Sequence, residues 1–201
     1  MGLATVRPVS AFSPPPAGFR YHQDKLDGYE FLYPADWIPL TSSGNDIFYR
    51  NQFDVNENLF VNVSSPSSSK YNTVDDLKSP EQAAEATRKQ YLSELMSTRL
   101  GVKRETAVIS ASSRVAPDGK LYYDIQTSAK SYASRNQLSV TQREVNEGVE
   151  LEWDRRYITV LGVANKRLYE FRLQTSRQSF EQSQDVLLRV AQSFRCKEVD
   201  V

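Results

Sequence analysis

Apolar and polar residues alternate along residues 28–37, and this stretch predicts the strand around which the rest of the chain folds. Every second position carries an aromatic side chain, the period of a strand with one packed face: Tyr29, Phe31 and Tyr33. Pro34 cannot donate a hydrogen bond to a neighbouring strand, so the strand should end there. Residues 19–24 alternate in the same way, and Asp27-Gly28 is a typical hairpin turn. The two segments are therefore predicted to pair.

The same alternation predicts six further strands, at about 46–53, 58–64, 108–115, 121–127, 156–164 and 168–173. Turn-forming residues at 116–120 and 165–167 join the last four into two hairpins. Sequential hairpins pair antiparallel, so we expect these two to form the middle of one antiparallel sheet.

Two helices are predicted by capping residues and by apolar positions three or four apart. Ser79 caps a helix from Pro80 to about residue 98, and Ser176 caps one from residue 177 to about 194. The predicted buried positions are Ala83, Ala84, Thr87, Tyr91, Leu95 and Met96 in the first, and Phe180, Val186, Leu187, Val190, Ala191 and Phe194 in the second. The fold class is α+β, a single antiparallel β-sheet flanked by helices in an α/β/α sandwich.

The chain of 201 residues fits one domain with a tail. Residues 1–17 are rich in proline and predict an extended arm, and residues 18–201 predict the domain. Residues 129–154 form a polar insertion, which is either an extra hairpin that extends the strands or an ordered surface loop. The turn at 145–149 favours the hairpin.

The composition of the chain excludes several classes of function. Lys and Arg total 25, as do Asp and Glu, so no global field attracts nucleic acid or an anionic membrane. No apolar run approaches the roughly 20 residues that span a bilayer, and we expect any targeting segment to have been removed. Cys196 and His22 are the single cysteine and histidine, so an internal disulfide is excluded and an imidazole-based site must use His22. We expect His22 to be a partly exposed strand residue.

Two sets of charged residues are candidate binding sites. Glu150, Glu152 and Asp154 carry oxygen ligands of the kind calcium takes, but as alternating strand residues they lack a loop that wraps an ion. They are weak metal candidates, and a solvated or partner-facing strand is the expected role. The candidate partner-binding residues are Arg7, Arg155, Arg156, Lys166 and Arg167. Ordinary solubility is the alternative for the basic pairs.

The sequence has no nucleophile–base motif and no glycine-rich phosphate loop, so it does not predict an enzyme. Five short segments, taken together in their order along the chain, carry a family resemblance. They are DGYEFLYP at 27–34 with Trp37, SPEQAA at 79–84, DGKLYY at 118–123, VANKRLY at 163–169 and SF at 193–194. With these segments, the chain resembles the PsbP-domain family of oxygenic phototrophs over about residues 18–197.

The resemblance implies an antiparallel sheet between helices and a non-catalytic protein of the chloroplast thylakoid lumen, reached through a removed transit peptide. Such proteins dock on, assemble or stabilise photosystem II at its oxygen-evolving side, photosystem I or the NDH-like complex. The implied protein is peripheral to the membrane, does not bind nucleic acid and carries no cofactor. Calcium is possible by the resemblance only, which leaves a calcium- or small-ligand-binding lumenal module as the alternative function.

Two departures from the photosystem II subunit itself favour a PsbP-like or PsbP-domain paralogue. The photosystem II subunit is more lysine-rich and uses its N-terminal arm for docking, whereas the arm here contains one cationic side chain, Arg7. The stretch 129–154 is also longer than in many relatives. The family's ion-related His–Asp pairing has no equivalent, because the only imidazole is His22.

Overall fold

The computed structural model describes residues 14–41, 44, 46–65, 70–97, 101–134 and 149–199. The strands are β1 (Phe19–Asp24), β2 (Tyr29–Pro34), β3 (Trp37–Leu40), β4 (Ile47–Asn51), β5 (Asn58–Val63), β6 (Val102–Val115), β7 (Leu121–Ser134), β8 (Val149–Ala164), β9 (Arg167–Ser176) and β10 (Arg195–Cys196). The helices are α1 (Pro80–Glu94) and α2 (Arg177–Gln192), with a short 3-10 helix at Val74–Leu77.

The strands form two antiparallel sheets, so the prediction of a single sheet was wrong. The large sheet has the order β3-β4-β5-β9-β8-β7-β6, and the small sheet has the order β1-β2-β10. Alternation shows that a strand has one packed face, but it does not show which strands it joins. β1 and β2 pair with each other, and the other edge of β2 pairs with β10, where Cys196 lies opposite Tyr29, and not with a strand of the large sheet.

Opposite faces of the large sheet pack against different elements. α1 and the 3-10 helix cover one face, and α2 with the small sheet covers the other; we call these the α1 face and the α2 face. The α2 face holds the larger core, in which Tyr29, Phe31, Phe171 and Phe194 are fully buried. The predicted packed face of β2 is therefore correct, and it packs on a second sheet.

Both helices begin at the predicted residues and end earlier than predicted. The hydroxyl of Ser79 accepts from the N–H of Gln82, and Pro80 occupies the first turn. α1 ends at Glu94, so Met96 lies beyond it and is 70% exposed. In α2, Val186 is 42% exposed although its spacing placed it with the buried residues.

β7 and β8 extend into the predicted polar insertion as a pair of antiparallel strands. Their pairing continues from Ala129 opposite Arg155 to Ser134 opposite Val149, with a register shift between Ser131 and Tyr132. The flanks of the insertion are thus extended strands, and residues 135–148 lie outside the described residues. β6 was predicted near the middle of the sheet but lies at its edge, beside β7 alone.

Candidate functional site

The basic residues predicted to bind a partner lie at opposite ends of β8. Arg155 and Arg156 lie towards its start, and Lys166 and Arg167 lie at the turn into β9. Nine residues of strand separate Arg155 from the end of β8, which corresponds to roughly 30 Å. The four cations therefore belong to two separate surfaces, and Arg7 lies outside the described residues.

A shallow groove of about 370 Å³ lies at the end of the molecule where β8 begins. Three segments meet there: the turn between β4 and β5, the start of β8 and the first turn of α2. We call it the Trp153 groove, and its lining residues are Asn56, Leu151, Trp153, Asp154, Arg155, Ser176, Arg177, Gln178 and Glu181.

Trp153 is held between two guanidinium groups. The centre of the Arg155 guanidinium lies 4.2 Å from the ring centroid of Trp153, and that of Arg104 lies 4.9 Å away. Cations at these distances are attracted to the negative face of an indole ring, and such stacking fixes the orientation of a long side chain. Arg155 is thus pre-positioned beside an aromatic surface.

Asp154 is the charged centre of the groove. Its carboxylate lies 2.9 Å from Nη1 of Arg156, 3.8 Å from Nη1 of Arg177 and 3.9 Å from Nζ of Lys130, and its side chain is only 10% exposed. The Nε of Arg177 donates to Glu181 one helical turn later, at 2.9 Å. The buried carboxylate of Asp154 therefore lies close to three cations, of which Arg177 also lines the groove.

The three carboxylates considered for metal binding do not share a face. Because of the register shift in β8, Glu152 accepts from Ser131 Oγ on the α1 face at 2.6 Å, whereas Asp154 lies opposite Lys130 on the α2 face. Glu152 also pairs with Arg104, at 3.2 Å. Across the described part of the chain, no three His, Cys, Asp or Glu side chains are grouped to hold a metal ion.

Lys166 and Arg167, at the other end of β8, differ in how far their charges are exposed. Arg167 donates from Nη1 to Asp27 in the β1–β2 turn and from Nε to the carbonyl of Ser64, both at 2.6 Å, and its side chain is 17% exposed. Lys166 is exposed in the turn. Arg167 therefore links the small sheet to the large one, and only Lys166 presents its charge to solvent.

The family model that describes PsbP matches residues 17–196. The chain belongs to the PsbP family. It is 48% identical over 190 residues to PsbP domain-containing protein 1, chloroplastic, of Arabidopsis thaliana, a match that covers 94% of this chain and 65% of that protein. It is 30% identical over 111 residues to CyanoP of Thermosynechococcus vestitus, covering 55% of this chain and 56% of CyanoP.

The solution structure of CyanoP from Synechocystis sp. PCC 6803 has the same fold. It superposes with a TM-score of 0.62 at 23% sequence identity, covering 96% of this chain and 98% of CyanoP. The chain spans about two thirds of the Arabidopsis relative and just over half of the Thermosynechococcus one. Within the residues that the structure describes, neither helix is long and apolar enough to cross a membrane.

In this PsbP-family chain the single cysteine is buried in the core, and the single histidine is half-buried against it. His22 packs against the rings of Phe31 and Tyr29, at 4.9 and 5.7 Å, and its Nδ1 lies 3.1 Å from the hydroxyl of Tyr49. Burial lowers the pKa of His22, although the nearby charge of Asp24 opposes the shift. Burial also raises the pKa of the Cys196 thiol far above its ordinary range. The imidazole is held neutral and the thiol protonated at neutral pH.

A polar cluster beneath α1 was not found by sequence reasoning. The buried hydroxyl of Tyr91 lies 2.7 Å from both Thr159 Oγ1 and Glu170 Oε1. The guanidinium of Arg172 stacks on the ring of Tyr91 at 4.2 Å and donates to Glu94 at 2.8 Å. Spacing marked Tyr91 as an apolar helix position, but its partners lie about 70 to 80 residues away and no local signal identifies them.

Sequence reasoning also identified only part of the Trp153 groove. Sequence reasoning named Arg155 and the carboxylates of β8, but it assigned no role to Trp153, Arg177 or the turn between β4 and β5. These segments are about 25 to 125 residues apart in the chain, and the pairing of β8 with β9 and of β5 with β9 brings them together.

Proposed function

We propose that the protein is a non-catalytic auxiliary protein of the chloroplast thylakoid lumen that docks on a photosynthetic membrane complex and assists its assembly or stability. The observation that carries the proposal is the PsbP family match over residues 17–196, together with 48% identity to a chloroplastic PsbP domain-containing protein. The protein acts through its surface, as a peripheral partner of lumen-exposed subunits.

The surroundings of the reactive side chains support a binding role. The Cys196 thiol is buried with a raised pKa, and the imidazole of His22 packs among aromatic rings. A nucleophile or general base must reach a substrate in the protonation state that its chemistry needs. Both groups instead stabilise the contact between the two sheets.

Calcium or small-ligand binding by the β8 carboxylates is less well supported than docking. Glu152 and Asp154 lie on opposite faces of the sheet, and each is paired with at least one arginine. A calcium site needs six to eight oxygen ligands around one point.

The proposal is tested by finding the complex that the protein accompanies. An affinity-tagged copy of the chain is expressed in chloroplasts with a lumen-targeting leader, and gently solubilised thylakoids are separated on native gels. We expect the tag to co-migrate with bands of photosystem II, photosystem I or the NDH-like complex, and mass spectrometry identifies which. A tag that runs only as free protein at low salt, in mature and in greening tissue, contradicts the proposal.

A further inference from the structure

We propose that the outer edge of β6 binds a second copy of this chain, by antiparallel pairing of the two β6 strands about a two-fold axis. The pairing joins the two large sheets into one continuous sheet, and we call the line where the two strands meet the seam. The inference goes beyond the docking function proposed above and requires no other protein.

β6 is a long edge strand. Among the described strands it pairs only with β7, although it runs for 14 residues. The opposite edge of the large sheet, β3, has four residues and contains Pro39, which lacks a backbone N–H. Short length and proline are two means by which natural sheets prevent their edges from pairing with other strands. β6 has neither, and its middle is exposed, with Val108 37% and Ile109 49% accessible.

Alternate residues of β6 direct their backbone groups away from β7. The carbonyl of Gly101 accepts from the N–H of Ser134, and the N–H of Ala116 donates to the carbonyl of Lys120, so both ends of the β6–β7 pairing are fixed. Counting in steps of two from each end to the register shift that follows Val108 identifies the residues whose N–H and carbonyl groups face outward. They are Val102, Arg104, Thr106, Val108, Ala111, Ser113 and Val115.

One antiparallel register brings the outward-facing residues of two copies opposite each other. In this register the two-fold axis passes between residues 109 and 110, so every contact occurs twice. The hydrogen-bonded pairs across the seam are Val108 with Ala111, Thr106 with Ser113 and Arg104 with Val115. Pairing of this kind satisfies backbone groups that are otherwise left to solvent.

Charge favours this register. Glu105 lies opposite Arg114 of the second copy on the α2 face, at a non-hydrogen-bonded position where side chains approach most closely. Within each copy Glu105 pairs with Lys103 at 2.6 Å, and Arg114 pairs with Asp124 at 2.7 Å. The four side chains therefore alternate in sign across the seam. A register shifted by two residues places either Lys103 or Ala107 opposite Arg114, which gives a repulsive pair or no pair.

α1 contacts one half of β6 and leaves the other half exposed. The Nη1 of Arg88 donates to Thr106 Oγ1 at 3.0 Å, and the start of the helix packs in the core around Ala111. Beyond Ala111 on the same face, Ser113 is exposed and Val115 is 70% exposed. The two-fold pairing places Thr106 opposite Ser113 of the second copy. Each helix therefore lies beside the exposed half of the neighbouring β6.

The first test measures the mass of the protein in solution. Sedimentation velocity is recorded on the purified chain from about 10 µM to about 1 mM, because a dimer that forms by weak association appears only as concentration rises. We expect a monomer of 22.9 kDa and a species of twice that mass that increases with concentration. A wild type that remains monomeric throughout overturns the proposal and leaves the docking function unaffected.

Two charge variants break the same ion pair within one copy but differ at the seam. Glu105→Lys places a lysine opposite Arg114 of the second copy, so we expect the dimer to be at least about tenfold weaker. Lys103→Glu also breaks the pair between residues 103 and 105, but it faces Ala116 across the seam and should leave the dimer within about twofold of the wild type. Equal weakening by both changes would overturn the register. Thermal unfolding by circular dichroism verifies that each variant is folded.

A backbone variant tests the hydrogen bonds of the seam. Ser113→Pro removes an outward-facing N–H and no hydrogen bond to β7, and Ser113→Ala is the matched control that keeps the N–H. We expect the proline variant to dimerise at least about tenfold more weakly, and the alanine variant to match the wild type within about twofold. A folded proline variant that dimerises as the wild type would overturn the pairing.

A disulfide fixes the register. Ala107→Cys combined with Ser112→Cys places two thiols opposite each other across the seam, at a Cα separation of about 4.5 Å that a disulfide can span. Within one strand the two positions are roughly 15 Å apart, which is too far. We expect mild oxidation to give a covalent dimer, and Ala107→Cys with Ser113→Cys, whose thiols face opposite sides of the sheet, to stay monomeric. Cross-linking of both variants, or of neither, would overturn the register; the native Cys196 is buried in each.

Discussion

Individual side chains in this molecule have roles that their residue types do not reveal. Arg167 and Lys166 are adjacent, yet one guanidinium is enclosed by Asp27 and Ser64 while the neighbouring ammonium faces solvent. His22 is a partly exposed strand residue as predicted, and its imidazole packs among the rings of Tyr29, Phe31 and Tyr49. Its protonation is therefore coupled to the stability of the fold.

We expect acid to destabilise the protein through His22. Its pKa is lowered in the folded state from the ordinary value of 6.5, so the folded protein favours neutral imidazole. The contribution of neutral His22 to the free energy of unfolding is complete above about pH 6.5. It is lost as the pH falls below that value, because the unfolded chain binds the proton more readily than the folded protein does. Urea unfolding at pH 7.5 and pH 5 measures this loss in the wild type and in His22→Gln, where it should be smaller. Equal pH dependence in both proteins would contradict the assignment.

Arg167 should stabilise the fold, whereas Lys166 should not. Arg167→Ala removes two charge-assisted hydrogen bonds, one to the β1–β2 turn and one to Ser64, and we expect a loss of about 1–3 kcal/mol in the free energy of unfolding. Lys166→Ala at the neighbouring exposed position should change it by less than about 0.5 kcal/mol. Denaturant titration checks both values. Two equally small losses would show that the Arg167 contacts contribute little.

At the scale of the elements, α1 is attached to the sheet by a mixture of small apolar residues and one buried polar cluster. Ala83 and Ala84 pack against the sheet, and further along the helix the Tyr91 hydroxyl lies between Thr159 and Glu170. Arg172 covers the Tyr91 ring and reaches Glu94 in the last turn. A buried polar group is stabilising only when its partners are present, so the Tyr91 hydroxyl is a sensitive point of this contact.

Tyr91→Phe should therefore lower the free energy of unfolding by about 1–3 kcal/mol, because Thr159 and Glu170 each lose a buried partner. Tyr71→Phe is the matched control, since Tyr71 lies before the 3-10 helix on a half-exposed segment. The control should differ from the wild type by less than about 0.5 kcal/mol. Urea titration followed by circular dichroism measures both. An unchanged free energy of unfolding in Tyr91→Phe would mean that water replaces the hydroxyl as the hydrogen-bond partner of Thr159 and Glu170.

At the scale of the whole molecule, charge acts locally. Lys and Arg balance Asp and Glu in number, so no net charge directs the protein towards a partner from a distance. The cations around Asp154 are paired locally with its carboxylate and, for Arg177, with that of Glu181. Docking on a partner should therefore depend on salt only through short-range pairs.

We expect wild-type binding to solubilised thylakoids to weaken by about three- to tenfold when salt rises from about 0.01 M to about 0.15 M. This change shortens the screening length from about 30 Å to about 8 Å. Arg155→Gln and Lys166→Gln test the two candidate partner-binding residues: a variant of a residue that pairs with the partner should bind more weakly at low salt and respond less to added salt. Equal salt dependence in all three proteins would show that neither residue pairs with the partner.

The local elements of this fold could be predicted because each depends on neighbouring residues. Period-two aromatics predicted β2, turn residues predicted the β6–β7 and β8–β9 hairpins, and Ser79 and Ser176 predicted the first turns of both helices. The family resemblance also came from such local segments, and the match over residues 17–196 confirms it. Strand period, turn chemistry and capping all act over a few residues, so they can be recognised in the chain before it folds.

Pairing between residues far apart in the chain determines the arrangement of the sheets and the shape of the groove. The third strand of the small sheet, β10, pairs with β2 across some 165 residues, and one register shift in β8 places Glu152 and Asp154 on opposite faces. The Trp153 groove is formed by a turn near residue 55, the start of a strand near 153 and the start of a helix near 177. These three segments are not neighbours in the sequence. Alternation in sequence specifies that a face is buried, and only the packed sheet specifies what lies against it.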